Sequence, residues 1–409
     1  MLPEQAQALV ALPPDALERA VEHLHAHDSL RTRLWLDRSY PSDLSLAILD
    51  CAACRLHFRS KFPLEDGWLL SREAAEQATA YPLARWRAGY LKQRFPNLHE
   101  LVELGTGIGG DSVPLSHHFA FTGYEQQAER AVLAQANLVR LGGPEARVIP
   151  HRIPIEKLCG ELLFADPARR SQQGRSFDPE EWDPPLSSLL QQGQFSGTVF
   201  KTAPGLDLSA LPEGMEVHFL SLQGDLKEAM LLRGSPTPGA RLNAWLWSEP
   251  GSPPLHRVGD DRPAPTQAPG PGAYLLNPDP SLVRCRGLAG LAEELGAGVV
   301  HPRIAYLCGP RPCRTPWADS FHILDSMALD WGRLNAGLAA SGWNDFEYLG
   351  RGVPFSQAEV LTRLKKGRKK MSGQGRGAVI IYRDEHGYRV CLAHRLPRSG
   401  DPDPSRFAR

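Results

Sequence analysis

The sequence predicts an α/β protein built on a doubly wound, mostly parallel sheet, with a helical N-terminal domain before it and a small α+β domain after it. Three observations carry this reading. Between residues 98 and 249, short apolar runs alternate with turns and helical patterns, which is the spacing of βαβ units. A glycine cluster follows the first of those runs. Before them, apolar residues recur at helical spacing with no strand alternation of any length.

In the first segment, Ala6, Leu9 and Val10, then Leu17, Ala20, Val21 and Leu24, fall on single helix faces, and Ser71 is placed to cap a helix over 72–90. Strands are expected at 101–104, 119–124, 148–149, 162–165 and 197–201, with a helix at 128–141. Candidates at 217–222 and 242–247 finish the sheet as an antiparallel edge. Residues 250–272 contain seven prolines, so they form neither a helix nor a central strand and read as a surface loop or linker. Helical texture returns at 282–295 and 321–340, and a polar turn between 378–382 and 388–393 signals a β-hairpin. The expected domains are 1–97 (helical), 98–249 (ligand-binding α/β), the 250–272 linker, 273–397 (α+β) and a 398–409 tail.

Composition narrows the function. The 409 residues are 42% hydrophobic and 22% charged, with 46 basic and 46 acidic side chains, so no global basic field marks a nucleic-acid or membrane partner, and any such contact must be local. No apolar run reaches the ~18 residues of a membrane span. The first residues, Met1-Leu2-Pro3-Glu4-Gln5, have neither a cationic start nor an apolar core, so export is not expected. Seven cysteines are too few for a disulfide scaffold, and reduced thiols in a cytoplasm are expected.

The sharpest feature is the run from Val102 to Ser112, which follows a strand candidate and opens a helix candidate. Gly105, Gly107 and Gly110 fit the G-x-G-x-x-G dinucleotide pattern, while Glu103, Gly105, Gly107 and Gly109 fit the E-x-G-x-G-x-G pattern of class I S-adenosylmethionine (SAM) methyltransferases. Glycines suit a sharp turn whose backbone must approach a ligand closely. Glu125, 22 residues after Glu103, is placed to accept hydrogen bonds from ribose hydroxyls in either case. Asp166-Pro167, at the end of the fourth expected strand, separates the two, because ligands of such sheets sit at the carboxyl ends of the strands. A carboxylate or carbonyl there can hold an exocyclic amine towards a methyl donor, and alignment supplies most of the acceleration of a direct displacement. A dehydrogenase has no comparable use for Asp166-Pro167-Ala168-Arg169-Arg170.

With these motifs in hand, the chain resembles bacterial class I SAM-dependent methyltransferases with a C-terminal THUMP-like domain. The resemblance covers nearly the whole chain: Lys61-Phe62-Pro63, Ala75 to Thr79, Glu103 to Asp111, Ala165 to Arg170, Pro204 to Asp207, Gly224 to Glu228, Asn277 to Pro280, and the terminus after Lys365. It also resembles, distantly, trimethylguanosine-synthase-like enzymes, whose Asp-Pro-Pro-Trp signature takes the place of Asp166 to Arg169, here without the second proline and the aromatic. The resemblance implies a Rossmann-like methyltransferase fold with SAM as cofactor. Glu103, Gly105, Thr106, Gly107, Gly109 and Asp111 are then expected at its methionine end and Glu125 at its ribose, while 150–153 offers no acidic residue for the adenine amine. Asp166 and Pro167 become the catalytic pair, and methylation of a nitrogen in an RNA base, in tRNA or rRNA, the expected reaction.

On the substrate side, Arg169, Arg170 and Lys201 are expected to flank the crevice, where arginine forks bind phosphate. Residues 363–370 carry six basic side chains, including Lys365, Lys366, Arg368, Lys369 and Lys370, a cluster able to neutralise phosphates despite zero net charge. No metal is expected: Cys51 and Cys54 read as core-facing thiols on one helix, and His23, His25 and His27 spread over different helix faces. Asn277 to Pro280 reads as a turn, and Trp68 and Trp182 as packing residues. An NAD-dependent oxidoreductase using the same glycine loop, a non-catalytic RNA-binding protein and a small-molecule methyltransferase stay open on sequence alone.

Overall fold

The computed structural model describes residues 1–64, 66–167, 170–171, 174–175, 178–191, 194–369, 371 and 375–397, with side chains for all of these except 14, 170, 171, 174, 175 and 366. Its contacts group into two compact units, Met1–Val217 with Glu228–Arg241, and His218–Lys227 with Leu242–Arg409.

The first unit opens with six helices: α1 (Pro3–Val10), α2 (Pro14–Ala26), α3 (Ser29–Leu36), α4 (Ser42–His57), α5 (Arg72–Gln77) and α6 (Tyr81–Arg94). Ala6, Leu9, Leu17 and Ala20 are buried, as their helical spacing requires. The helix expected over 72–90 is two helices rather than one. Pro82 stands in the first turn of α6, where its missing N–H and ring clash with any preceding turn force a fresh helix start. The Thr79 hydroxyl, in the break, is turned onto Asp111.

The α/β part follows as β1 (Glu100–Leu104), α7 (Ser112–Ser116), β2 (Ala120–Tyr124), α8 (Ala128–Leu141), β3 (Arg147–Ile149), β4 (Leu162–Ala165), the short ladder β5 (Arg170–Ser171) with β6 (Gly174–Arg175), β7 (Gly197–Thr202), β8 (Glu216–Leu222) and β9 (Asp225–Arg233). Within the first unit the strands lie in the order β9-β7-β4-β1-β2-β3. The pairings β1·β2, β2·β3, β1·β4 and β4·β7 are parallel, and β7·β9 is antiparallel. Chain order therefore reverses between β1 and β4, the switch point at which open sheets bind ligands. The antiparallel neighbour of β7 is β9, a segment in which no strand was expected. Its opening residues are polar, and Glu228 to Leu232 are buried in succession. A strand covered on both faces shows no alternation to read.

In the second unit, β10 (Leu242–Trp247) pairs with β11 (Leu255–Val258). The latter lies inside the expected 250–272 loop, so the proline-rich stretch does contribute a short strand. A seven-stranded sheet then collects β12 (Tyr274–Pro278), β13 (Gly298–His301), β14 (Ile304–Gly309), β15 (Ala318–Ala328), β16 (Asp345–Arg351), β17 (Arg376–Asp384) and β18 (Gly387–Arg395), in the order β13-β14-β12-β15-β18-β17-β16. Alternation in the expected hairpin splits its side chains between two cores: Ala378, Ile380 and Tyr382 on one face, Val379 and Ile381 on the other. The expected helix at 321–340 is half strand: 321–328 belongs to β15, which pairs with both β12 and β18, and only Trp331–Ala340 is helical. A bulge between Ile323 and Asp325 breaks the two-residue period there and masks the strand pattern.

Candidate functional site

The glycine run is the turn that leaves β1. Gly105, Gly107 and Gly109 have φ of 81°, 57° and 88°, a region that side chains with a Cβ enter only at a cost. The turn is pinned on both sides. Gly105 N–H donates to the Tyr124 carbonyl (2.9 Å), and the Asp166 N–H donates to the Leu104 carbonyl (3.2 Å). A Cβ on Gly105 would stand 3.3 Å from the Asp166 carbonyl oxygen, whereas a Cβ on Gly107 would meet no atom within 4 Å. The loop thus lies directly against the end of β4 and has open space at Gly107. The Thr106 hydroxyl is buried without a hydrogen-bond partner among the described residues. Glu125 accepts from Gly107 N–H with one oxygen and Gln127 N–H with the other, at 2.8 and 2.9 Å, which leaves each oxygen capacity for a second donor. Open space, an unpartnered buried hydroxyl and a carboxylate with spare acceptor capacity fit a nucleoside-bearing ligand laid along the loop.

Behind the loop lies a buried network of charges. Asp111 follows directly on the glycine run and is 5% exposed. It accepts from Arg87 on one oxygen, and from Thr79 (2.8 Å) and Lys201 (3.1 Å) on the other. Arg87 also pairs with Glu228 and stacks over the Phe164 ring. Complete burial draws its guanidinium down to about 10, partly offset by Asp166 and Glu103. Lys201, on β7, reaches Asp166 Oδ2 at 2.6 Å. Glu103 is 2% exposed and accepts from the Ser112 hydroxyl at 2.6 Å. Burial pushes its carboxyl up to about 8, against the pull of Ser112, Lys201 and Arg87. Asp166 is half-buried and Pro167 buried.

The structure therefore gathers Glu103, Gly105, Thr106, Gly107, Gly109, Asp111, Glu125, Asp166 and Lys201 around the carboxyl ends of β1, β2, β4 and β7. It adds Arg87 and Asn137, which sequence reasoning missed, and Thr79, which lies in the Ala75 to Thr79 run with no role expected of it. Buried Asn137 donates to the Ile108 and Leu69 carbonyls and accepts from the Leu69 N–H, so it anchors the loop to the helical segment. Arg87 carried a legible signal, because it continues the buried stripe Leu83, Ala84, Ala88, Leu91 of α6, and a charge in an apolar stripe needs partners. Of the remaining expected residues, Arg169 and Lys370 lie outside the described residues, as do the side chains of Arg170 and Lys366. Lys365, Arg368 and Lys369 are exposed in the second unit.

The structure also places the other residues singled out in the sequence. Cys51 and Cys54 are buried on α4, and Trp68 and Trp182 are buried. Asp279 caps the helix Pro280–Arg284 by accepting from Ser281. Among the described residues, no group of three His, Cys, Asp or Glu side chains could hold a metal ion, and no helix is long and apolar enough to cross a membrane.

Comparison with known proteins adds an independent observation. No family model matches the chain. An uncharacterized SAM-dependent methyltransferase of Mycobacterium tuberculosis (strain CDC 1551 / Oshkosh) is 30% identical over 325 residues, covering 77% of this chain and 85% of the relative. Its counterpart in strain ATCC 25618 / H37Rv matches equally. A crystal structure from Porphyromonas gingivalis W83, of a protein provisionally assigned as a methyltransferase, superposes with a TM-score of 0.68 at 18% identity, covering 94% of this chain and 98% of that one. It shares the fold.

Proposed function

This chain belongs to the SAM-dependent methyltransferases, and from that premise we propose that it methylates a nitrogen of an RNA base, with Asp166 orienting the acceptor. SAM is the cofactor, and it supplies a methyl group made electrophilic by a sulfonium. Glu103, Gly105, Thr106, Gly107 and Gly109 would hold its methionine end and Glu125 its ribose, whereas Asp111, expected at the methionine end, has both oxygens engaged by Arg87, Thr79 and Lys201 and would brace the loop from behind.

The observation that carries the reading is the pairing of Asp166 with the glycine loop across neighbouring strand ends. Asp166 Oδ2 is taken by Lys201, and Oδ1 has no donor among the described residues. An exocyclic amine donating to Oδ1 is held in one orientation, and positive charge developing on its nitrogen falls beside a carboxylate. Pro167, buried after it, fixes the backbone that carries this carboxylate.

RNA is favoured over a small molecule by the THUMP-like resemblance of the C-terminal region and by its surface. Lys365, Arg368 and Lys369 are exposed, and Arg363 lies over the half-buried rings of Trp331 and Phe355 at 5.0 and 5.2 Å. Cations beside aromatic faces suit a phosphate backbone and unstacked bases. The test is transfer of tritiated methyl groups from SAM into total RNA, protein and metabolite fractions. Label in RNA nucleobases is expected. Label confined to protein or metabolites refutes the RNA reading.

A further inference from the structure

We propose that Lys201 is a positioning residue, which latches the Asp166 carboxylate against the glycine loop by binding Asp166 and Asp111 together. The inference rests on the role given to Asp166 above. Lys201 sits on β7 opposite Met230 of β9 and is 9% exposed. Its ammonium donates hydrogen bonds to Thr79 Oγ1 at 3.0 Å and Asp111 Oδ2 at 3.1 Å, and pairs electrostatically with Asp166 Oδ2 at 2.6 Å. Burying a lysine on an interior strand costs several kcal/mol unless it is fully partnered, so its contribution lies in what it holds.

Its two carboxylate partners differ in what else restrains them. Asp111 keeps Arg87 and Thr79 if Lys201 is removed. The Asp166 side chain, 28% exposed, has Lys201 as its one ion-pair partner among the described residues and feels Arg87 only through space. Without the ammonium, only that longer-range attraction opposes its rotation into water. Removing Lys201 should therefore release the acceptor wall of the site while leaving the donor wall braced. A residue that merely supported the fold would loosen both.

The experiment compares wild type, Lys201→Met and Lys201→Arg by calorimetry with S-adenosylhomocysteine, by tritiated-methyl transfer to total RNA, and by crystal structures with S-adenosylhomocysteine. Lys201→Met is expected to bind the nucleoside within about threefold of wild type while turnover falls about 100-fold. Its KM for SAM should change little, and Asp166 should be turned to solvent. Lys201→Arg, which keeps the charge, should recover part of the turnover. Unchanged turnover in Lys201→Met, a parallel loss of binding and turnover, or Asp166 still facing the loop in its structure overturns the proposal. If wild type labels no RNA, the substrate reading falls by itself, and the Asp166 orientation in Lys201→Met still decides the role of Lys201.

Discussion

Glu103 gives the protein a pH dependence that one substitution isolates. Its carboxyl is buried beneath the glycine loop, and burial raises it from an ordinary 4.5 to about 8. The folded state then holds this proton more tightly than the unfolded chain. The associated stability is complete below about pH 4.5, declines as pH rises through the folded value near 8, and is level above it. At ~1.36 kcal/mol per pH unit, the decline across that window is capped near ~5 kcal/mol. Even half of that would lower a melting temperature by about 3–5 °C. Glu103→Gln removes the titration but keeps an acceptor for the Ser112 hydroxyl, whose bond to Glu103 is 2.6 Å. Thermal and urea unfolding of the cofactor-free proteins between pH 5 and 9 compares them directly. They are expected to be nearly equal at pH 5, with the variant becoming the more stable by roughly 2 kcal/mol or more by pH 8.5. Parallel stability curves across the range would show that Glu103 titrates normally, and the account of its burial would be wrong.

Further outcomes follow from the same geometry. Gly107→Ala adds a methyl to open space at φ 57°. If the nucleoside lies there, S-adenosylhomocysteine affinity should drop at least about tenfold, while unfolding costs only the ~1–2 kcal/mol of the left-handed backbone. Unchanged affinity would move the ligand elsewhere. Arg87→Met removes the guanidinium shared by buried Asp111 and Glu228 and should cost about 3–5 kcal/mol in urea unfolding, with a loss under 1 kcal/mol counting against the network. Of the seven cysteines only Cys159 is exposed, and burial pushes Cys51 and Cys285 up to about 12 and Cys54, Cys308 and Cys391 up to about 11. Thiol titration at pH 8 should find one fast thiol in the native protein, and several would contradict the packing. Replacing Lys365 and Lys369 by alanine should flatten the log–log salt dependence of RNA binding by about 0.7 for each phosphate no longer neutralised. An unaltered slope would remove this surface from the RNA interface.

Much of the glycine-loop side of the candidate site was legible in the sequence because its demands are local. A strand, a glycine turn and a helix adjoin in the chain, and positive φ leaves glycines behind. The strand ends carrying Glu125 and Asp166 were legible for the same reason, since short apolar runs bounded by turns mark them. Arg87 was not read, and Thr79 carried no expected role, because their partners Asp111 and Glu228 are distant in sequence and only the fold brings them together. Lys201 was expected to face a ligand, and its contacts with Asp166, Asp111 and Thr79 depend on β7 lying beside β4. The interior of β9 and the bulged β15 escaped for a different reason: neither keeps the two-residue alternation that identifies a strand with one buried face.

The most direct measurement pairs calorimetry and methyl transfer on one variant, Asp166→Ala. If the loop and the end of β4 form separate donor and acceptor walls of a common crevice, the variant should bind S-adenosylhomocysteine within about threefold of wild type and transfer methyl groups at least about 100-fold more slowly. Transfer at the wild-type rate, from a protein that still binds the nucleoside, would place the acceptor elsewhere and contradict the site described above.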